Sequence, residues 1–222
     1  RTLPCDGSSN RQEQEDARLL VVGSTPARHT SFITAESKNQ NMKKIMIDIE
    51  TLDTRSTGVI LSIGAVTFDD VDLGHTFHRR VDIDSCLKLG MTVSGSTIQW
   101  WMEQSDAARK MLTQQGAHIT NVLDSFSRAF NWDRIEEVWA NGTDFDLAIL
   151  SNAFERTGLR RPWAYYKGRD YRTVKKLFPH ALYQELAVEP RVAHDALEDA
   201  TSQALTLQAL LNSEYAARRL VA

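Results

Sequence analysis

The sequence predicts an α/β domain: a mixed β-sheet that begins as an antiparallel meander, continues with parallel strands, and is flanked by α-helices. Three observations predict it. Runs of β-formers near 43–52, 59–68 and 75–83 follow one another across short links. Beyond them, apolar residues recur at helical spacing. A short strand-like stretch, "EVWA" at 137–140, then runs into the turn signal Asn141-Gly142.

The first run, "KKIMIDIETL" (43–52), carries two carboxylates at alternate positions. Alternation along a strand puts Met46, Asp48 and Glu50 on one face and Ile45, Ile47 and Ile49 on the other. Two neighbouring acids repel, and burying them unpaired costs more still, so that face must meet something positive or open to water. The second run, "VILSIGAVTF" (59–68), is almost continuously apolar, as a buried strand is. The third, 75–83, completes the meander. "STIQWWMEQ" predicts a helix opening on a Ser or Thr cap, and "ITNVLDSFSRAF" places Val122, Leu123, Phe126, Ala129 and Phe130 on one helical face. A helix is expected from about 145 to 157, closed by Gly158, and a last one from about 196 to 211.

Residues 1–41 show no sustained period and precede the periodic region, so they are expected to be an extension: a tag, a leader or an arm. Residues 42–222 then form the functional domain. Among the 222 residues, 42% are hydrophobic and 25% charged, values of an ordinary globular protein. No apolar run reaches the length of a membrane span, and Leu19–Val22 is too short for a signal peptide. Cys5 and Cys86 make no metal or disulfide framework, which suits a reducing, cytoplasmic setting. A formal net charge of −3 provides no global basic field. A polyanion must therefore be met by a local patch or by bound metal.

Several further acids lie at helix starts, where capping and the helix dipole explain them. Asp144 fits an N-cap, and Asp195 with Glu198 three residues later resembles a capping box. Dipole stabilisation there is typically under about 1 kcal/mol. Asp146 and Asp199 are left unexplained inside apolar-periodic segments. His194 and Asp199 are five residues apart, a rotation of about 500° that would splay them on a continuous helix. If Asp195 caps that helix, His194 lies outside it and can fold back over the first turn, where Asp199 sits.

Asp-x-Glu-Thr on a strand, Phe-Asp opening a middle helix, and His-x-x-x-x-Asp opening a late one form an ordered set. On these residues the sequence resembles the DEDDh branch of the DnaQ-like 3′–5′ exonucleases, over about 43–211. The resemblance implies a ribonuclease-H-like fold. "IQWW" (98–101) and "RDYRT" (169–173) are similar to a narrower group that includes mycobacterial-type 3′–5′ exoribonucleases and phage exodeoxyribonuclease A. His194, rather than a Tyr at position 195, points to the His branch.

The resemblance implies hydrolysis of a phosphodiester by water. Two Mg²⁺ or Mn²⁺ ions, roughly 3.5–4 Å apart, would stabilise the attacking and leaving oxygens. Asp48, Glu50, Asp146 and Asp199 match the metal ligands, and their hard carboxylate oxygens suit such ions. His194 matches the general base. Thr51, Leu52, Trp101, Asn141 and Phe145 are the expected substrate contacts, with Arg169 and Arg172. Residues 156–176 add independent support: eight Arg and Lys side chains against a single acid, Asp170, with Trp163, Tyr165, Tyr166 and Tyr171 among them. Cations for phosphates and aromatic faces for unpaired bases suit a single-stranded RNA or DNA 3′ end, although a solvated basic face would look the same. No protein partner is indicated, and dimerisation is left open. Two other classes fit the same fold. One is a non-catalytic nucleic-acid-binding protein, against which the complete acid set argues. The other is a polymerase-associated proofreading subunit, for which residues 1–41 are the only candidate contact.

Overall fold

The computed structural model describes residues 42–219. The expected extension at 1–41, and Cys5 within it, lie outside the described residues. The sheet has five strands in the order β3-β2-β1-β4-β5. They are β1 (Lys44–Thr51), β2 (Ile60–Phe68), β3 (Leu73–Arg80), β4 (Glu137–Ala140) and β5 (Gly168–Asp170). The first three pair antiparallel and β1-β4-β5 parallel, so β1 is central and its C-terminal end faces the crossover side.

The alternation in β1 sorts the core as its sequence dictates. Ile45, Ile47 and Ile49 join one apolar layer and Met46 the other. The first layer is covered by α1 (Ile83–Lys88), α2 (Gly95–Glu103), α3 (Asp106–Thr113), α4 (Ile119–Ala129) and α5 (Ala148–Arg156). The second is covered by α6 (Tyr171–Lys175) and α8 (Ala196–Leu211), whose Ala200, Ala204 and Leu207 pack on Met46, Val66 and Phe68. Two short helices, α7 (His180–Leu186) and α9 (Glu214–Arg219), complete that side.

Three boundaries differ from expectation. β3 ends at Arg80, because Val81 turns to bond Leu61 and the Asp82 carboxylate caps α1 through the Ser85 amide. α2 starts after Ser94, but the Ser94 hydroxyl bonds Ser96 rather than a helix amide. The helix expected from 145 divides into a π-helical turn, Thr143–Leu147, and α5, which stops at Thr157 with Gly158 in the left-handed region (φ 70°). Among the described residues no helix is long and apolar enough to cross a membrane.

Candidate active site

The site forms where the C-terminal half of β1 meets the start of α8. Gly64 makes that meeting close. It lies directly across from Asp48 in the β1–β2 register, and a methyl group placed on it would sit 2.1 Å from the Ala196 carbonyl carbon. The backbone of α8 therefore rests on the backbone of β2, and the helix's first turn comes down beside the acidic face of β1. Asp195 caps that helix, accepting from the amides of Leu197 and Glu198 at 3.1 and 3.2 Å. Glu198 pairs with Arg191 at the surface.

With Asp195 as cap, His194 is left in the turn before the helix. Its φ is +64°, the one positive φ among the described non-glycine residues, and such strain gathers at functional positions. The backbone amide of His194 donates to Asp199 Oδ2 at 2.9 Å. The imidazole packs edge-on against Trp100, with ring centroids 4.8 Å apart. One ligand atom from each of Glu50, His194 and Asp199 lies within 4.8 Å of the others, a spacing that can hold a metal ion.

Asp146 arrives from the other side of β1. Gly142, at φ 129°, lets the chain leave β4 sharply, and the π turn that follows aims Asp146 inward. Its Oδ1 accepts the Ile49 amide at 3.2 Å, which ties the turn to β1 between Asp48 and Glu50. Asp144 is not the cap of this turn: Gly142 holds that place, and Asp144 sits exposed within it.

The electrostatics match the crowding. Burial, reinforced by Asp146, Glu50 and Asp199, holds the Asp48 carboxyl well above the usual carboxylate range, while a bond from Gln203 Nε2 (2.9 Å) works the other way. Glu50 is likewise held well above it, by burial and then by Asp199 and Asp146. Burial pushes Asp146 up to about 7, against the opposing pull of backbone amides and Arg172. Asp199 rises to about 6, again through burial, opposed by the His194 amide. Burial lowers His194. Among the described residues, none of these four acids is in a salt bridge. A divalent cation fits this donor set, since hard oxygens converge with no ion-paired side chain on them among the described residues.

The structure thus brings Asp48, Glu50, Asp146, Asp199 and His194 together. The expected substrate contacts divide. Glu50, Thr51, Trp100, Trp101 and Phe145 line a cleft of about 430 Å³ beside the acids. Leu52 is buried and hydrogen-bonds Val59 and Ser94 through its backbone. Trp101 is 1% exposed and gives its indole N–H to the Thr51 carbonyl at 2.8 Å. The pair points in two directions: Trp100, 41% exposed, is the ring presented to solvent, and Trp101 borders the cleft from the core side. Asn141 and Arg172 meet each other, the guanidinium donating to the Asn141 carbonyl at 2.8 Å near Asp146. Arg169 lies apart from these residues. It sits on β5, two strands from β1, and donates to the Tyr166 and Gly168 carbonyls beside Glu137, so the cluster does not gather it.

Sequence reasoning missed Gln203, which orients Asp48 from the second turn of α8. It also missed Asp53, buried, where bonds from Arg55 and Thr92 hold the carboxyl at about 2 and brace the loop after β1. Gln203 stands four residues after Asp199, one turn along the same helix, a spacing that could have flagged it.

Residues 43–211 match the family model of the 3′-5′ exoribonuclease Rv2179c-like domain. The chain belongs to that family. Members of this Rv2179c-like family are 3′–5′ exonucleases, and this chain is one, a hydrolase of phosphodiester bonds. It is 22% identical over 202 aligned residues to the exodeoxyribonuclease of Enterobacteria phage T4, covering 75% of this chain and 88% of the phage protein. Its fold is similar to that of the nuclease domain of 3′hExo, a DEDDh family member solved bound to rAMP. That likeness has a TM-score of 0.53 and 13% identity, and covers 78% of this chain and 94% of that one. The Rv2179c-like domain here therefore has the DEDDh-type, ribonuclease-H-like fold.

Proposed function

We propose that residues 42–222 form a metal-dependent exonuclease domain. It removes nucleotides from the 3′ end of single-stranded RNA or DNA, with Asp48, Glu50, Asp146 and Asp199 as ligands for two Mg²⁺ or Mn²⁺ ions. When bound, the ions would stabilise negative charge on the attacking and leaving oxygens. His194 is the general base. Lowered by burial, its imidazole is neutral at neutral pH and free to accept the proton of the attacking water. The new P–O bond forms as the bond to the 3′ oxygen breaks in line, releasing a nucleoside 5′-monophosphate. Trp100 and Phe145 offer apolar and aromatic surface to the terminal base in the cleft next to Glu50. Arg172, close to Asp146, faces the strand's negative charge.

Support comes chiefly from one observation: four carboxylates and a strained His converge from β1, the π turn and the start of α8, and none of the four acids is in a salt bridge among the described residues. An arrangement so costly without a ligand is understandable as a cation site. Both sugars are kept, because the family carries an exoribonuclease name and the phage relative an exodeoxyribonuclease name. The test is parallel digestion of 5′-labelled RNA and DNA oligomers, with Mn²⁺, with Mg²⁺ and with excess chelator. A ladder shortening from the 3′ end, lost in chelator, is expected. Turnover in chelator, or cutting of a circular substrate, would overturn the proposal.

A further inference from the structure

Among the described residues, four buried polar side-chain atoms have no hydrogen-bond partner: Ser62 Oγ, His78 Nε2, Arg80 Nη1 and Gln203 Oε1. Gln203 belongs to the acid cluster. The other three lie in two cross-strand rows, Glu50–Ser62–Arg80 and Asp48–Gly64–His78. Paired residues in a sheet share a face, so all three side chains stand on the face that carries the acids. Native proteins leave few buried donors unmatched, because each forfeits its bonds to water. Three such atoms in adjacent rows mark a place where another group belongs.

The chemistry of that group follows from the donors. A guanidinium only donates and is always charged, and a hydroxyl can donate beside it. The matching ligand is rich in acceptors and anionic. The Asp195 carboxylate does not serve His78: it stands 3.9 Å from Nε2 and is engaged with the amides of Leu197 and Glu198. Access comes from the edge of the sheet, where His78, Arg79 and Arg80 line a cleft of about 320 Å³ with Gly116. Arg80 is two strands from Glu50, roughly 10 Å at the backbone.

We propose that Arg80, with Ser62 and His78 beside it, forms an anion subsite that grips a backbone phosphate of the substrate strand next to the one being cut. This rests on the exonuclease reading above, but the test does not depend on turnover. Binding of a fluorescein-labelled single strand to the full chain is followed by anisotropy in chelator, across a series of salt concentrations. Losing one phosphate contact should flatten the slope of log K against log salt by about 0.7 for Arg80→Gln, and Arg80→Lys should restore it. A strand carrying one neutral methylphosphonate at the linkage adjoining the terminal one should bind wild type at least tenfold more weakly than the unmodified strand. Arg80→Gln should not discriminate between the two. Equal slopes for wild type and Arg80→Gln, or the same methylphosphonate penalty in both, would overturn the subsite. So would a calorimetric titration in which inorganic phosphate alone binds through Arg80 while strand binding is unaffected, since the anion served would then be a free one. Loss of 3′ digestion with these binding results intact would count against the exonuclease reading and not against the subsite.

Discussion

The backbone amide of His194 donates to the carboxylate of Asp199 across 2.9 Å, so the proposed base and one proposed metal ligand are held as a unit. The bond exists because Asp195, between them in sequence, starts the helix. It accompanies a positive φ at His194 and engages the backbone rather than the imidazole.

Replacing His194 with Ala should therefore lower kcat by about 10²–10⁴-fold, the usual range for a general base, while metal affinity stays near wild type. A base must be unprotonated to act, so wild-type activity should rise with pH through the imidazole's pKa. Burial lowers that value, and the acidic limb should lie below the ordinary imidazole pKa of about 6.5. The variant should lose that limb. A pH–rate series at saturating Mn²⁺, with calorimetric metal titration, reads both quantities. An unchanged limb would make His194 structural, and lost metal affinity would make it a ligand.

Asp48→Ala and Asp146→Ala should reduce activity to background and weaken metal binding, with the circular dichroism spectrum retained. Gln203→Leu, which removes the bond that orients Asp48, should cost about 10–100-fold in metal affinity or activity. Wild-type rates in either Ala variant would refute the ligand assignment.

In chelator, stability should fall as pH rises from about 5 to 7.5. Asp146 and Asp199, raised to about 7 and 6, bind more protons folded than unfolded across that window. Where the native state holds the extra proton, stability declines with pH until the folded group has ionised. Asp146→Asn should accordingly melt higher than wild type at pH 7.5 in chelator, and the order should reverse with Mn²⁺. Thermal melts over a pH series decide it; a rising or flat wild-type curve would contradict the electrostatics.

Gly64→Ala should destabilise the fold by about 1–3 kcal/mol, as overpacking does, because the obstructing atoms are backbone. Activity should drop as well, since α8 must lift and carry His194 and Asp199 away from β1. Urea unfolding and a rate measurement on the same preparation suffice. A variant with native stability and native rate would show that the close approach is not needed.

Much of this site was legible before any coordinates. Period-two alternation placed Asp48 and Glu50 on one face, and the Asp195 cap predicted that His194 and Asp199 would meet. What stayed hidden depends on register and on side-chain direction. Ser62 and Arg80 become neighbours of Glu50 only through cross-strand pairing, which no local pattern encodes. Trp100 and Trp101 are alike in sequence, and the Thr51 carbonyl decides which is buried. Arg169 and Arg172 lie in one basic run, yet a strand-to-helix boundary at Asp170 sends only the second toward Asp146. The π turn had no compositional signature beyond Gly142.

The closeness of Gly64 to Ala196 also sets when the protein becomes dangerous to nucleic acid. Asp48 and Glu50 are synthesised about 150 residues ahead of His194 and Asp199, and the two pairs meet only when α8 docks on β2. A nascent chain made in that order keeps the two parts of the proposed site apart until α8 has been made. On the proposed ligand set, the site stays incomplete until α8 has folded onto β2.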